Sequence, residues 1–409
     1  MGQLKRSITW KMLALYGLGN ILGAGVYVLI GEVAAESGDG LVWSLLLAAI
    51  VASFTAWTYS ELAGKYPLSA GAALYAEKAF GWPKLSTLVG LALAFTAIVS
   101  SSTLLRGFAR YGRDLLLKCG WDLSWAPDHI FMYPALAVLS YVALIGISES
   151  ARMAALFTIL EAGGLLTIVI VAGVNGETAS AALNSFSSIG SVEVLSICVG
   201  GFLAFYAFIG FEDMVNIAEE VKEPQINMRR GVLTALAVAT LLYLLVGISS
   251  LAVLPSETLS IQDAPLAAVF EKATGSTIPV ITIIGVIAIT NGVLIQIITA
   301  SRILYGLARE GWLPNSLSVV NQSSKVPVNA SLVAIVGIVI GASFLPLGTL
   351  AQLTSFTLLV IFSIVQISAF RLVRQGELTL PNAVPVIGTI LNLVLIIIQI
   401  LKWLGHLTI

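Results

Sequence analysis

Two groups of glycines occur inside long apolar stretches, where glycine is a poor helix former. In chain order they are Gly17, Gly19, Gly23, Gly25, Gly200, Gly201 and Gly210. Where a helix unwinds, its released N–H groups attract an anion and its released C=O groups attract a cation. The glycines therefore predict main-chain binding of a small molecule that carries both charges. Close helix packing is the alternative, since Gly19 and Gly23 form a GxxxG pair.

The predicted binding groups follow from these interruptions. At the first one, Gly23, Ala24 and Gly25 present N–H groups, because small side chains let a ligand approach the backbone. The residues expected to release carbonyl groups, or to lie beside them, are Ile21, Tyr206, Phe208, Ile209 and Gly210. Gln296, in a later apolar stretch, is a polar candidate for contact with a substrate side chain, with packing as its alternative.

Two acidic residues lie where a carboxylate is costly. Glu161 follows Arg152 by nine residues, which places it about 13 Å into a hydrocarbon layer of ~30 Å. An acid at that depth is a functional candidate by default, and desolvation favours its protonated form. Glu212 follows Gly210 closely, so it lies in the first turn after the second interruption, where capping is the alternative role. Asp213 is expected only to cap or to be solvated.

The elements that must position these residues are membrane-spanning helices. Of the 409 residues, 58% are apolar and 11% are charged, against about 25% charged in soluble proteins. A span needs about 20 apolar residues. The predicted spans are approximately 8–30, 41–60, 85–105, 131–147, 152–173, 194–218, 231–253, 277–301, 328–345, 349–370 and 384–404. The sequence thus predicts an all-α membrane protein with about eleven helices.

Composition also excludes several functional classes. A soluble enzyme and a nucleic-acid binder do not fit so few charged residues, and no cofactor is expected. His129 and His406 are the two histidines, both near predicted span ends, which leaves too little nitrogen chemistry for a histidine metal site. The two cysteines, Cys119 and Cys198, form no metal cluster, and whether they pair stays open.

The distribution of basic residues predicts the orientation. Most of the 21 Lys and Arg residues fall in the loops on the side of the N-terminus, which the positive-inside rule places in the cytoplasm. The C-terminus is then extracytoplasmic, in a multi-pass protein of the cell membrane. Arg106, Arg110, Arg113 and Lys118 are the exception, expected to form a solvated face at the outer mouth.

Four motifs, in order along the chain, resemble the amino acid–polyamine–organocation (APC) superfamily of transporters, and in particular its amino acid permeases. They are 19–27 (GNILGAGVY), 59–81 (YSELA through FG), 208–224 (FIGFE through EEVKEP) and 300–314 (ASRILY through LP). Together they cover about residues 12 to 327. Interrupted helices at matching positions of two oppositely inserted halves also indicate a transporter binding site.

The resemblance implies a LeuT-like fold, a five-plus-five inverted repeat in which the first and sixth spans are broken. On that basis residues 1–173 form the first repeat, 174–371 the second, and 372–409 an additional eleventh span. It further implies that the main chain around Ile21 and Ile209 contacts substrate, and that Tyr206 and Phe208 act as aromatic gates. Some proton-coupled relatives carry a lysine at what resembles the position of Glu161.

The expected function is secondary active transport of amino acids by alternating access, coupled to protons through Glu161 and Glu212. Its partners are the amino acid, protons and the lipid bilayer. A sodium-coupled carrier or an exchanger is the alternative within transport, and Thr290 and Thr299 are not adjacent, which disfavours a paired-hydroxyl sodium site. A membrane sensor or assembly partner that transports nothing is the alternative from another class. The sequence leaves substrate identity and oligomeric state open.

Overall fold

The computed structural model describes residues 6–68, 71–123, 125–146, 151–174 and 193–407. Within these ranges the regular structure is helical, apart from one isolated parallel bridge between Ile8 and Val221. Helices suit apolar sequence in a bilayer because they satisfy their own backbone hydrogen bonds. The prediction of an all-α architecture is confirmed for the described residues.

The α-helices follow the apolar runs of the sequence. They are α1 Trp10–Leu22, α2 Ala24–Ser37, α3 Leu41–Lys65, α4 Gly71–Phe80, α5 Pro83–Lys118, α6 His129–Ile145, α7 Ala151–Val174, α8 Val194–Ala204, α9 Pro224–Val253, α10 Ser256–Ser260, α11 Pro265–Thr274, α12 Val280–Arg309, α13 Val328–Phe344, α14 Leu347–Arg374 and α15 Ala383–Trp403. Short 3₁₀ helices occupy Gly38–Gly40, Phe205–Phe208, Phe211–Glu220 and Asn315–Ser318.

Helices lie at each of the eleven predicted span positions. Eight helical stretches of the described chain are long and apolar enough to cross a membrane, and α6 and α13 are shorter apolar helices. The first and sixth predicted spans each consist of two helical pieces. The chain is therefore a multi-pass membrane protein by helix length and composition.

The first interruption lies at Gly23. There the backbone leaves the helical region, with φ −13° and ψ −158°, and its N–H still donates to Gly19 O at 3.1 Å to end α1. Helix α2 begins at the next residue. One residue of non-helical backbone thus divides the predicted first span.

The second interruption is longer. After α8 the chain tightens into 3₁₀ turns, passes through Ile209 in an extended conformation (φ −63°, ψ 143°), and turns at Gly210 with φ 123°. A Cβ on Gly210 would lie 2.5 Å from Asn20 O. Glycine is required here twice over, by the positive φ and by the approach of α1. The two interruptions therefore touch.

The other glycines of the two groups serve packing. A Cβ on Gly19 would lie 2.1 Å from Thr158 Oγ1 on α7, and one on Gly200 would lie 2.5 Å from Ser44 Oγ on α3. A Cβ on Gly201 would meet Leu47 at 2.9 Å. Helix unwinding and close packing, which the sequence presents as alternatives, both occur, at different glycines.

Two groups of helices meet around the interruptions. We call α1, α2, α3, α8 and α9 the bundle, because α9 packs against α3 and α1, and α8 against α3 and α2. We call α5, α6, α12 and α13 the scaffold, in which the long α5 packs most extensively against α12. Both interruptions belong to the bundle and face α5 and α12.

Gly210→Ala tests the second interruption. A side chain there must adopt a left-handed φ and displace Asn20 O, which we expect to cost about 1–3 kcal/mol of folding free energy. The purified variant should unfold several degrees below the wild type in a detergent thermal melt. Gly306→Ala is the matched control, because Gly306 lies within α12 and a Cβ there meets nothing within 4 Å. Equal melting temperatures for Gly210→Ala and wild type would contradict the assignment.

Candidate functional site

A cavity lies between the bundle and the scaffold, at the depth of the two interruptions. The bundle contributes its backbone and side chains at both breaks, and the scaffold contributes one face of α12 and the middle of α5. The lining residues are Gly19, Asn20, Ile21, Gly23, Gly25, Ser100, Leu104, Tyr206, Ile209, Gly210, Asp213, Asn291, Gly292, Ile295 and Gln296. Most of them are small, neutral polar or aliphatic, so backbone groups supply much of the available chemistry.

The start of α2 is the anion-attracting end of the cavity. The first N–H groups of an α-helix have no acceptor within the helix, and no side chain caps α2 at Gly23. Gly25, in the first turn, lines the cavity, and a Cβ on it would lie 3.0 Å from Ala207 Cα of the second break. The N-terminal end of α2 therefore points partial positive charge into a space that only small residues permit.

A tyrosine of α9 joins the two interruptions. Tyr243 is fully buried, and its hydroxyl lies 2.6 Å from Ile21 O and 3.0 Å from Ala207 O, so the two carbonyls share its one hydrogen. Both acceptors are carbonyls at or beside the unwound backbone. Sequence reasoning missed Tyr243, and the signal for it was a single phenol in the otherwise apolar run of α9. The shared hydrogen bond gives a partner to two carbonyls that would have none in the hydrocarbon core of the bilayer.

Most of the sequence-predicted binding residues come together here. The cavity is lined by Ile21, Gly23, Gly25, Tyr206, Ile209, Gly210 and Gln296. Phe208 is placed elsewhere: it is fully buried and packs edge-on against the Tyr243 ring, with centroids 5.1 Å apart. Ala24 lies in the first turn of α2, and its side chain is outside the described structure. The sequence did not indicate Asn20, Ser100, Asp213 or Asn291.

Tyr206 connects the second interruption to the scaffold. Its hydroxyl shares a hydrogen bond of 2.8 Å with Ser100 Oγ on α5 and donates to Ser100 O at 3.2 Å. The phenol has one hydrogen, so when it donates to the carbonyl Ser100 O, Ser100 Oγ donates to the phenol oxygen in the 2.8 Å contact. This contact spans the boundary between bundle and scaffold, beside the cavity.

Glu161 lies behind the cavity and is not among its lining residues. Its side chain is buried on α7, 1% exposed, and it interacts electrostatically with Tyr27 and Tyr243. Its main-chain carbonyl accepts a hydrogen bond of 2.9 Å from Tyr27 Oη. Glu161 is thus outside the cavity, on a helix that packs against α1 and against α9, the helix of Tyr243.

Glu212 and Asp213 are neighbours with different environments. The Glu212 carboxylate turns back and accepts the Gly210 N–H at 2.8 Å. That bond caps the Phe211–Glu220 segment, which is the alternative role considered for Glu212. Asp213 lines the cavity, so its placement differs from the expectation of a solvated or capping residue.

An ion pair joins the scaffold helix α5 to the bundle helix α2. Arg110 of α5 lies 2.8 Å from Glu32 of α2. Nearby on α5, Arg106 pairs with Asp128 at 3.0 Å, and Arg113 pairs with Asp263 at 3.1 Å. These arginines were expected to form a solvated face, and they instead hold neighbouring segments together.

The two cysteines are separate. Cys119, at the end of α5, is exposed, and Cys198, in α8, is half-buried, and both carry free thiols. In this structure the two cysteines form no disulfide with each other.

Comparison with known proteins assigns the family. Residues 8–404 match the profile of the family described as amino acid permease. The chain belongs to this family. Two similar proteins come from Bacillus subtilis (strain 168). The methylthioribose transporter is 29% identical over 91% of this chain and 82% of its own length. The branched-chain amino acid permease BcaP is 29% identical over 98% and 89%.

A plant relative has a different named substrate. The cationic amino acid transporter 3, mitochondrial, of Arabidopsis thaliana is 29% identical over 93% of this chain and 65% of its own length.

The resemblance to the APC superfamily, inferred from four motifs, is confirmed. The amino acid permease family consists of membrane transporters, so the chain is not an enzyme. The names of the three relatives differ in substrate, and family membership therefore leaves the substrate of this permease to be inferred from its cavity.

Tyr243→Phe tests the contact that joins the two interruptions. The change removes one oxygen and leaves two buried carbonyls without this donor, at an expected cost of about 1–3 kcal/mol. The thermal midpoint of the detergent-solubilised permease should fall. Tyr141→Phe is the matched control, because Tyr141 is 66% exposed on the surface of α6. If both variants melt with the wild type, Tyr243 does not hold the breaks together.

Proposed function

We propose that this permease is a secondary active transporter that moves amino acids across the cell membrane by alternating access, coupled to protons. The main support is the cavity where two interrupted helices meet between two helix groups. Helices broken at corresponding places near mid-membrane are typical of transporter binding sites. The family assignment points in the same direction.

The backbone of the cavity suits the two charges that every amino acid carries. The α-carboxylate would accept hydrogen bonds from the backbone N–H groups of Ala24 and Gly25 in the first turn of α2. The α-ammonium would donate to the carbonyls of Ile21 and Ile209. Tyr243 already donates to Ile21 O, and a carbonyl oxygen has a second lone pair for the substrate. Gln296 lies on the opposite wall, in reach of a substrate side chain.

Alternating access would consist of a movement of the bundle against the scaffold. The proposed repeats, 1–173 and 174–371, each contribute one interrupted helix, and 372–409 adds a further helix outside them. Movement of α2 away from α5 would require separation of the Arg110–Glu32 pair, which is partly exposed and so inexpensive to break. Movement of the second interruption away from α5 would require loss of the Tyr206–Ser100 contact beside the cavity.

Proton coupling is proposed for Glu161 and Glu212. A buried acid at membrane depth is costly when ionised, and Glu161 is 1% exposed. Its helix α7 packs against α1, which ends at the first break, and against α9, which carries Tyr243. Glu212 binds the Gly210 N–H directly, so a change in its charge would act on the second break itself.

A sodium-coupled carrier is the second candidate, followed by an exchanger. Sodium coupling is less favoured because the hydroxyl of Thr290, a candidate sodium ligand, already donates to Val286 O within α12 at 2.6 Å. Placement in the cell membrane, with the N-terminus in the cytoplasm and the C-terminus outside, is proposed from the distribution of basic residues.

Uptake into proteoliposomes tests the function. We expect a pH gradient alone, alkaline inside, to drive accumulation of at least one labelled amino acid from a panel. A sodium gradient imposed separately should not. Accumulation that follows sodium and ignores pH would contradict proton coupling. Binding of amino acids without any movement across the membrane would favour a sensor.

Glu161→Gln tests the coupling residue. The change removes the titratable group and nearly preserves size, so pH-driven accumulation should be abolished while exchange across the membrane remains. Glu257→Gln is the matched control, because Glu257 lies in the short helix α10 and is exposed. Its pH dependence should equal that of the wild type. Unchanged pH dependence in Glu161→Gln would exclude Glu161 as the proton carrier.

A further inference from the structure

The cavity has an unbalanced charge. Of its lining residues, Asp213 has the one side chain with a formal charge, and no lysine, arginine or histidine is among them. The other polar side chains that line it, Asn20, Ser100, Tyr206, Asn291 and Gln296, are neutral. The described walls of the cavity thus carry one carboxylate and no opposing cation.

Asp213 is directed to the cavity by local structure. Its N–H donates to Gly210 O at 3.3 Å, which closes the first turn after the second interruption. The adjacent Glu212 carboxylate already takes the Gly210 N–H. In the described chain the salt bridges involve other acids, and none includes Asp213. Of the two neighbouring carboxylates, that of Glu212 therefore caps the backbone and that of Asp213 faces the cavity.

An uncompensated carboxylate at membrane depth costs several kcal/mol. A neutral zwitterion does not reduce that cost, since the backbone at the breaks takes both of its charges. A substrate with one additional positive charge does. Building on the proposed amino-acid transport, we propose that Asp213 determines specificity by pairing with a cationic side chain, so that the permease prefers basic amino acids with an ammonium or guanidinium group.

The test compares substrates that differ in charge and little in shape. Arginine is paired with neutral citrulline, and lysine with neutral norleucine, as competitors of labelled arginine uptake into proteoliposomes. For the wild type, arginine and lysine should compete at least 10-fold more effectively than citrulline and norleucine. Asp213→Asn should raise the KM for arginine at least 10-fold and leave the KM for citrulline within twofold of the wild-type value. Asp213→Glu, which keeps the charge, should retain the preference for arginine.

Several outcomes would overturn the inference. Wild-type uptake of neutral amino acids without competition by arginine would do so, while leaving amino-acid transport intact. An equal loss of arginine and citrulline uptake in Asp213→Asn would show that Asp213 contacts the α-ammonium of every substrate or has a structural role. If Asp213→Asn does not fold, as judged by size-exclusion chromatography, the wild-type competition series decides. Failure of the wild type to carry any amino acid would instead reject the proposed function.

Discussion

The site depends on backbone polar groups being satisfied where there is no water to satisfy them. Unwinding a helix at membrane depth releases N–H and C=O groups at a cost of several kcal/mol each. The Tyr243 hydroxyl offsets part of that cost, because Ile21 O and Ala207 O share its hydrogen. Because these carbonyls belong to different breaks, one side chain fixes both. Other residues of the two breaks, Gly23, Gly25, Ile209 and Gly210, line the cavity.

The contact between the breaks joins the interrupted helices of the bundle tightly. Gly210 approaches Asn20 O so closely that no side chain fits, and Gly25 lies against Ala207. Such tight packing transmits displacement, since packed interiors deform little. Around the cavity the bundle meets the scaffold through contacts such as the hydrogen bond of Tyr206 with Ser100.

The sequence predicted the interruptions well because glycine in an apolar run is a strong local signal. It placed the breaks within the two glycine groups, and the structure interrupts the helices at Gly23 and Gly210. It could not separate these from Gly19 and Gly200, which pack against other helices, because helix crossing is a tertiary property. Phe208 and Tyr206 look equivalent in sequence, but the turn between them directs one to the cavity and the other to Tyr243. Tyr243 itself acts through partners more than 30 residues away.

The division of labour between backbone and side chains has a consequence for selectivity. Backbone groups at the breaks are the same whatever the substrate's side chain, so in the proposed binding mode they recognise features common to all amino acids. Discrimination must come from the side chains that line the rest of the cavity. Among these, neutral amides and aliphatic groups discriminate by shape, at about 1–3 kcal/mol per methylene. A carboxylate such as that of Asp213 discriminates by charge, which gives larger differences where water is excluded.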